Sequence, residues 1–447
     1  MKSYYGSGRQ VATTADDAVL PGLQDGVAKQ FPIGVLGITR QAVPLVAAIG
    51  SSTIARGENN IANAYQRTWG GVMNVANILS QGRFYCPQNY SMATSGQTTQ
   101  HMVDVQLPAV LALNPRPKGC YFQPGSNDIR SGVPFATTQG NIATVLSGFK
   151  EAGIVPIIGV PQATLGDTAT VQAGFAQMAR YLRDLSAATP GAILVDPFTA
   201  FMNPALATYE SLPAFMDTVA PRIHLNHTGT QIYAQAIVKA LADAGWAPCF
   251  DVPLRSNGDL FSANNRSGNL TANGMMSGTG GTITAPATGT LGAGWQFTPN
   301  SVGGTIALSQ QADGTGCVMT FSGTATQGTG LVLYRDFSGA ELANMAVNDT
   351  LETIVEAAWG ALTNVSYIGA QIRLTMAGVQ TDDLDGGPSS QGGPLLATPS
   401  AIFRPVPRLV TSAVTAARLR LWVYPEASAA WSGAVTFKSA VTRRRFV

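Results

Sequence analysis

The feature that most constrains this 447-residue chain is a regular alternation of short apolar runs with helical segments between residues 43 and 245. Strands buried on both faces of a parallel sheet carry continuous apolar runs, and parallel neighbours need a crossover between them. The alternation therefore predicts an α/β domain whose parallel sheet is covered by helices on both faces. Ligands of such folds bind beyond the carboxyl ends of the strands, so polar residues placed there are the first candidates for chemistry.

Hydrophobic spacing and stop signals place the individual elements of this domain. The clearest helix spans residues 141–152, where apolar residues recur at i, i+3, i+4 and i+7 and Gly153 provides a C-terminal stop. We predict strands over 43–49, 84–86, 120–123, 154–160 and 193–195. The other predicted helices cover 54–79 with a break at Gly70 and Gly71, 103–113, the segment that contains Phe175 and Leu185, and 228–244 with Thr228 as N-cap.

The pattern changes near residue 250, where helical spacing gives way to short alternating runs separated by Gly, Thr, Ser and Asn. Many short strands at fairly regular intervals predict an antiparallel β-sandwich over residues 266–447, joined through a linker at 251–265. The runs are 282–284, 305–308, 317–321, 331–334, 350–357, 371–376, 418–424 and 434–437. Residues 1–40 carry little periodic pattern and are predicted to be an arm or docking segment, which leaves 41–250 for the α/β domain.

Composition and charge exclude several classes of function. The formal net charge is only +2 and charged residues make up 12% of the chain, so there is no electrostatic footprint for nucleic acid. The sequence contains no run of about eighteen apolar residues, so no membrane span is predicted. The N-terminus shows no apolar signal-peptide core. The cysteines have neither metal-ligand spacing nor disulfide density, so we predict no metal site and no cofactor. The low charge favours an extracellular or virion-associated protein.

Four polar segments carry the candidate chemistry, and each has an ordinary interpretation when taken alone. In the first, a serine stands at a strand-to-helix turn, where its hydroxyl is exposed and its N–H can point into a site. A glycine in the second leaves its N–H free to donate, and an asparagine amide in the third can donate to an oxyanion. A histidine in the fourth can take the serine's proton and return it to a leaving alcohol. The segments are 49–53, 94–98, 124–128 and 223–229.

Taken in order, these segments resemble the sequence blocks of the SGNH hydrolase family, also called GDSL-like esterases. The matching residues are Gly50-Ser51-Ser52, Gly96, Gly125-Ser126-Asn127-Asp128 and Pro221-Arg222-Ile223-His224. The resemblance covers roughly half of the chain, a domain of ordinary size, and implies a flavodoxin-like, three-layer α/β/α fold. It also implies Ser52 as nucleophile, His224 as base, and an oxyanion hole. The hole would be formed by the N–H groups of Ser52 and Gly96 and by the side chain of Asn127.

Two positions depart from the family pattern. Ser51 stands where the family has an aspartate beside the nucleophile, and that residue does not itself react. Pro221 stands where the family has its triad aspartate, three residues before the histidine. Three explanations stay open: Asp217, seven residues before His224, reaches back to the imidazole; a backbone carbonyl orients it in a Ser–His dyad; or the site is crippled.

Other polar residues of these segments receive predicted roles as well. Asp128 and His227 are assigned to substrate binding. Asp128 is also expected to brace the loop that presents Asn127, and His227 to line the pocket or cap the final helix. His101 and Asp196 are predicted to be structural.

The β-rich half loosely resembles jelly-roll carbohydrate-binding modules. The residues that carry this resemblance are Asn269-Leu270-Thr271-Ala272-Asn273-Gly274, Gly294-Trp295-Gln296-Phe297 and Gly433-Ala434-Val435-Thr436-Phe437. Exposed aromatic rings can stack on sugars, whereas most tryptophans of a sandwich belong to its core. We expect a core position for each of the candidates Trp295, Trp359, Trp422 and Trp431.

The two resemblances together imply a serine esterase that removes acyl groups, in particular O-acetyl groups, from a polysaccharide or related ester. The expected setting is a bacteriophage particle that acts on the surface glycan of its host. There the protein would be a homo-oligomer that contacts other virion proteins through residues 1–40. The alternative is a structural or receptor-binding virion protein that keeps the hydrolase fold without turnover, and an acyltransferase using the same site is a third interpretation.

Overall fold

The computed structural model of the protein describes residues 19–24, 27–32, 43–61, 64–206, 208–218, 222–248, 257–266, 268–300, 304–324, 330–390, 392–426 and 429–445. Most of the predicted arm lies outside these ranges. Two strands within it, β1 (Val19–Gln24) and β2 (Val27–Pro32), pair as an antiparallel hairpin. Pro221 and residues 251–256 of the predicted linker also lie outside the described residues.

A four-stranded parallel sheet forms the centre of the first half, in the order β3, β6, β7, β8. Its strands are β3 (Val46–Ile49), β6 (Gly119–Phe122), β7 (Val155–Gly159) and β8 (Ile193–Val195). Every residue of β3 and β6 is buried, as expected of strands covered on both faces. The prediction of a strand at 84–86 is wrong, because only Tyr85 pairs there, through a single bridge to Leu45 at the sheet edge.

Helices pack around this sheet in two groups, α2 with α9 and α4 with α6. The helices are α1 (Ser52–Ala55), α2 (Val72–Leu79), α3 (Thr99–His101), α4 (Leu107–Leu111), α5 (Ser126–Arg130), α6 (Phe135–Ala152), α7 (Ala169–Ala188), α8 (Phe198–Phe201) and α9 (His227–Asp243). A π-helical turn, Met102–Gln106, joins α3 to α4. The predicted three-layer α/β/α architecture is confirmed. No helix among the described residues combines the length and apolarity needed to cross a bilayer.

The end of α6 agrees with the prediction from the sequence, and the start of α9 does not. Helix α6 ends at Gly153, which has a left-handed φ of 68° as predicted for a C-terminal stop. Thr228 is not the N-cap of α9, because Asn226 holds that position and its side chain accepts a hydrogen bond from the Gly229 N–H at 2.9 Å. The Thr228 hydroxyl instead donates to the carbonyl of Pro394 at 2.7 Å. The Thr228 hydroxyl, which we predicted to cap the helix, therefore contacts the second half of the chain instead.

The predicted helix over 54–79 is wrong for most of its length. The chain forms the short α1, a hairpin of β4 (Glu58–Ile61) and β5 (Ala64–Thr68), and only then α2. Strand β5 pairs in parallel with β17 (Val379–Gly387), more than three hundred residues downstream. The hairpin is thus stabilised by a partner strand that local spacing cannot reveal.

The second half is a sandwich of two sheets, as predicted, with mostly antiparallel pairing. One sheet runs β10-β12-β13-β21-β15-β18 with β19 beside β15, and the other runs β4-β5-β17-β16-β20-β14-β11-β9. The strands not yet given are β9 (Thr282–Ile283), β10 (Thr288–Gly289), β11 (Gln296–Thr298), β12 (Thr305–Ser309), β13 (Cys317–Thr324), β14 (Leu331–Asp336), β15 (Thr350–Trp359), β16 (Val365–Met376), β18 (Thr398–Phe403), β19 (Arg408–Leu409), β20 (Val414–Pro425) and β21 (Ala430–Arg445). A short helix, α10 (Gly339–Ala343), follows β14.

The tryptophans of the sandwich divide into two classes. Trp295, Trp359 and Trp431 are core residues as expected, with at most 4% of their surface exposed. Trp422 differs from that expectation, since it is partly exposed on the outer face of the eight-stranded sheet. This face is therefore the aromatic surface of the sandwich that a ligand could reach.

The two halves share a buried contact as well as a sheet. Trp69, between β5 and α2, donates its indole N–H to the carbonyl of Ile368 at 2.9 Å. Its ring meets Trp359 and Phe403 edge-on, with centroids 6.0 and 6.5 Å apart. The sandwich is thus packed directly against the domain that carries the candidate site.

Candidate active site

Ser52 stands at the turn between β3 and α1, and the turn is held by a buried glutamine. The main-chain N–H of Gly50 donates to Gln106 Oε1 at 2.8 Å, and the Gly50 carbonyl accepts from Gln106 Nε2 at 3.0 Å. Gly50 has a φ of +155°, and a Cβ there would meet Ile54 Cδ1 at 2.5 Å. We call these two hydrogen bonds from Gln106 to Gly50 the clamp. The clamp fixes the end of β3, and Ser52 begins α1 with a partly exposed side chain.

His224 lies opposite this serine. Its Nε2 is 2.9 Å from Ser52 Oγ, a hydrogen-bond distance. Only 12% of the His224 side chain is exposed, and burial, together with the positive charges of Arg56 and Arg130, lowers its pKa to about 4. The imidazole is therefore neutral near pH 7 and can accept the proton of the serine hydroxyl.

Asp217 approaches the other nitrogen of the same imidazole. Asp217 Oδ2 is 3.7 Å from His224 Nδ1, an ion-pair distance that is longer than a hydrogen bond. The two residues face each other because the Asp217 N–H donates to the His224 carbonyl at 2.9 Å and Met216 bridges Leu225 antiparallel. An acid seven residues before the histidine thereby comes to face it. Of the three explanations left open by Pro221, this geometry favours the displaced acid.

The environment of Asp217 leaves its carboxylate free to interact with the imidazole. The residue is 5% exposed, and its Oδ1 has no hydrogen-bond partner among the described residues. Arg56 Nη1 lies 3.9 Å from Oδ2. Burial raises the pKa of Asp217, while the nearby charges of Arg56 and Arg222 oppose that rise. Arg56, four residues after Ser52, was missed from the sequence, although that spacing places it one helical turn along α1.

Besides Ser52, the predicted oxyanion donors are Gly96, in a turn, and Asn127, at the start of α5. Gly96 has a left-handed φ of +79° and open space where a side chain would stand. Asn127, in α5, donates from Nδ2 to the carbonyl of Gln97 at 2.8 Å, which ties its side chain to the loop of Gly96. An amide nitrogen carries two hydrogens, so one remains for an oxyanion. Thr94 N–H donates to the Gly50 carbonyl at 3.1 Å, which joins this loop to the turn of Ser52.

Asp128 braces the same loop rather than facing a pocket. It is only 2% exposed and accepts hydrogen bonds from the N–H of Thr99 at 3.0 Å, from the Thr99 hydroxyl and from the Thr138 hydroxyl at 3.3 Å. Its assignment to substrate binding is contradicted by this burial, whereas its contacts are those expected of a bracing residue.

His227 is not a pocket residue either. Its side chain is completely buried, and Nε2 lies 2.6 Å from Ser389 Oγ. The main-chain N–H of His227 donates to the Gly392 carbonyl at 2.8 Å. The prediction that it binds substrate or lines the pocket is wrong, because the sandwich covers the residue. It opens α9 but does not cap it, since Asn226 does.

The remaining polar residues near the site have structural partners. Arg130 donates to the Thr164 hydroxyl at 3.0 Å, pairs with Asp167 at 3.3 Å, and lies over the ring of Phe175. His101 Nδ1 is 3.2 Å from Gln106 Nε2, next to the clamp on Gly50. Asp196 accepts from the Phe198 N–H at 3.1 Å and from Arg183. Neither Gln106 nor Arg130 stands in a recognisable motif, so the sequence did not indicate either residue.

Comparison with known proteins gives structural similarity only. No family model matches the chain, and no curated protein matches it either. A solved structure of Axe2, an acetylxylan esterase from Geobacillus stearothermophilus, is 18% identical, covers 46% of this chain and 96% of its own, and has a TM-score of 0.34. A lipolytic protein of the G-D-S-L family from Desulfitobacterium hafniense is 18% identical over 44% of this chain and 99% of its own, with a TM-score of 0.34. The structure of TesA is 16% identical over 45% of this chain and 99% of its own, with a TM-score of 0.33. In the order of its site residues and in its three-layer fold, the first half of the chain is similar to an SGNH-type hydrolase domain.

Proposed function

We propose that the protein hydrolyses carboxylic esters through an acyl-enzyme on Ser52. The observation that carries this proposal is the 2.9 Å contact between Ser52 Oγ and His224 Nε2, with the Asp217 carboxylate 3.7 Å behind the imidazole. A nucleophile, a neutral base and an acidic group that faces the base are the parts that acyl transfer by a serine requires.

The reaction consists of acylation and deacylation of Ser52, and each step passes through a tetrahedral intermediate. Ser52 Oγ attacks the ester carbonyl while His224 Nε2 takes its proton, and the N–H groups of Ser52 and Gly96 and the Asn127 amide donate to the developing oxyanion. The intermediate collapses, His224 returns the proton to the leaving alcohol, and the acyl group stays on Ser52. Water then attacks the acyl-enzyme with His224 again as base, which releases the carboxylic acid and restores the serine.

The proposed substrate is a polysaccharide that carries O-acetyl groups. Support comes from the sandwich packed beside the site, whose outer face offers aromatic and charged side chains to a long ligand. We also propose that the protein works on a virion, which the low charged fraction of 12% favours, and that it is a homo-oligomer that contacts other virion proteins through residues 1–40. Light scattering on the full chain tests the homo-oligomer. A mass of 46.5 kDa for the full chain would contradict it.

The test of the hydrolase compares hydrolysis of p-nitrophenyl acetate and of acetylated bacterial glycan by wild type, Ser52→Ala, His224→Ala and Asp217→Ala. Both Ser52→Ala and His224→Ala should lose all measurable activity, and Asp217→Ala should lose about 10²- to 10⁴-fold in kcat. Ser147→Ala is a matched control, because that serine is exposed on α6 and bonds only Glu151 there. Labelling by a fluorophosphonate should depend on Ser52 in the same way.

Two outcomes would change the assignment. Full activity of Asp217→Ala would leave a Ser–His dyad as the catalytic unit. No activity of wild type on either substrate, with no labelling of Ser52, would favour the structural or receptor-binding interpretation of the fold.

A further inference from the structure

The outer face of the eight-stranded sheet carries a row of large side chains on its central strand. Along β20, residues 417, 419, 421 and 423 are buried, and the alternate side chains are only partly buried on the opposite face. These alternate residues are Arg418, Arg420, Trp422 and Tyr424. The solvated face of an antiparallel sheet normally carries polar residues, so two aromatic side chains, Trp422 and Tyr424, are unusual at these positions.

Aromatic rings form one end of this surface. Tyr424 stacks on its cross-strand neighbour Tyr367 with centroids 4.5 Å apart and planes 12° apart, and Trp422 lies 5.3 Å from Tyr424. Trp422 stands opposite Gly369 on one neighbouring strand and Val332 on the other. Both of these neighbours are buried, whereas Trp422 is partly exposed, so the indole is the part of this row that a ligand can contact.

Arg420 is the cation beside these rings. Its guanidinium carbon is 5.6 Å from the Trp422 ring centre, and Nη1 lies 3.3 Å from Gln371 Oε1. In the next row of the sheet, Arg373 pairs with Asp382 at 2.6 Å and Arg418 with Asp336 at 2.8 Å. Arg420 has no acidic partner of this kind among the described residues.

The charge of this row is therefore not balanced. Burial lowers the pKa of Arg420, and the positive charges of Arg373 and Arg418 lower it further, while the carboxylates of Asp382 and Asp336 oppose this. An anion bound beside Arg420 would relieve this repulsion, and the partly desolvated site would strengthen the interaction.

The strand that carries Tyr367 contacts the domain of the candidate active site. The main chain of Ser366, one residue before Tyr367, approaches the buried ring of His227, and His227 follows His224 by three residues. This strand therefore contacts the start of the helix that follows His224.

We propose that the face formed by Tyr367, Tyr424, Trp422 and Arg420 binds an anionic polysaccharide. The apolar C–H faces of sugar rings contact the exposed parts of Trp422 and of the stacked Tyr367–Tyr424 pair, and a sugar carboxylate pairs with Arg420. Flat aromatic rings also accept nucleic-acid bases, but a phosphate on every nucleotide needs several free cations, and here Arg373 and Arg418 are already paired. The link to catalysis rests on the proposed esterase function, whereas binding to this face does not.

Binding is measured on the full chain carrying Ser52→Ala, by titration calorimetry with alginate, a polyuronate, and with neutral dextran. Alginate should bind and dextran should bind much more weakly. Adding Trp422→Ala or Arg420→Gln should weaken alginate binding about tenfold or more, and for Arg420→Gln the salt dependence should also fall. Tyr209→Ala is the control, since that tyrosine is 36% exposed on the other half of the chain.

The proposal would be overturned if the Ser52→Ala chain did not bind alginate or bound dextran equally well. It would also be overturned if the added substitutions left both alginate binding and the melting temperature unchanged, or if the chain bound single-stranded DNA more tightly than alginate. Failure of the esterase proposal is recognised separately. A wild-type protein that binds alginate but hydrolyses no p-nitrophenyl acetate would refute the esterase and leave the binding face standing.

Discussion

The protonation state of His224 decides when Ser52 can be activated. The ring is largely buried, and the positive charges of Arg56 and Arg130 both disfavour its protonation. These influences outweigh the approach of the Asp217 carboxylate, so the pKa of His224 lies at about 4 instead of near 6.5.

We therefore expect kcat/KM for p-nitrophenyl acetate to rise with pH through about 4 and to be level from pH 6 to 8. Replacing Arg56 with Gln removes a cation that opposes protonation, so the midpoint of the rise should move to higher pH. Lys239→Gln is the control, because this exposed lysine on α9 pairs only with Asp243. A wild-type midpoint near 6.5 would mean that the Asp217 carboxylate compensates for burial.

Some residues of the candidate site can be predicted from the sequence, and Asp217 can be predicted only in part. The positions of Ser52, Asn127 and His224 follow from short blocks, because each block is a local turn that begins or precedes a helix. The approach of Asp217 depends on the main-chain pairing of 216–217 with 224–225, and no motif encodes that pairing. A proline at the usual acid position indicated only that the acid must come from elsewhere.

At the scale of elements, the π-helical turn Met102–Gln106 has an identifiable task. A π-turn widens a helix by one residue and often marks a functional position. Here the turn ends at Gln106, whose amide makes two hydrogen bonds to Gly50 and lies near His101. The turn that carries Ser52 is thus positioned by a helix whose π-turn the sequence did not indicate.

Removing this clamp should affect both stability and turnover. Gln106→Ala leaves the Gly50 N–H and carbonyl without their side-chain partner in a buried place, at a cost of about 1–3 kcal/mol in the free energy of unfolding. The loosened turn should lower kcat for p-nitrophenyl acetate more than it raises KM. Gln100→Ala is a matched control on the same helix, since Gln100 is exposed and bonds only Asp104. Denaturant unfolding and steady-state kinetics check the two effects, and unchanged values for both would remove Gln106 from the set of positioning residues.

Element prediction succeeded where local signals and tertiary structure agree. The strands β6, β7 and β8 and the helix α6 are apolar, regularly spaced and bounded by clear stops, so they were found. Strand β17 was missed because its three aspartates disfavour a strand, and tertiary ion pairs compensate two of them. Asp382 pairs with Arg373 and Asp383 with Arg408, both of which come from other strands.

At the scale of the whole molecule, the chain is less divided than its composition implies. A boundary near residue 250 separates two sequence patterns, yet the β4–β5 hairpin of the first half lies in a sheet of the second. The segment after β17 returns to the start of α9, where Gln231 exchanges hydrogen bonds with the main chain of Leu396 at 2.7 and 3.2 Å. The helix that follows His224, the proposed base, is therefore held by the sandwich.

This arrangement predicts that the two halves unfold together. In scanning calorimetry the protein should show a single transition whose calorimetric and van't Hoff enthalpies agree. Trp69→Phe keeps an aromatic ring but removes the N–H that Ile368 accepts, so the free energy of unfolding should fall by about 1–3 kcal/mol and the whole transition should move to lower temperature. Trp246→Phe is the control, because that tryptophan packs near Lys118 within the first half. Two separate transitions, or a shift of only one of them in Trp69→Phe, would mean that the halves fold independently and that the sandwich does not hold the catalytic loop in place.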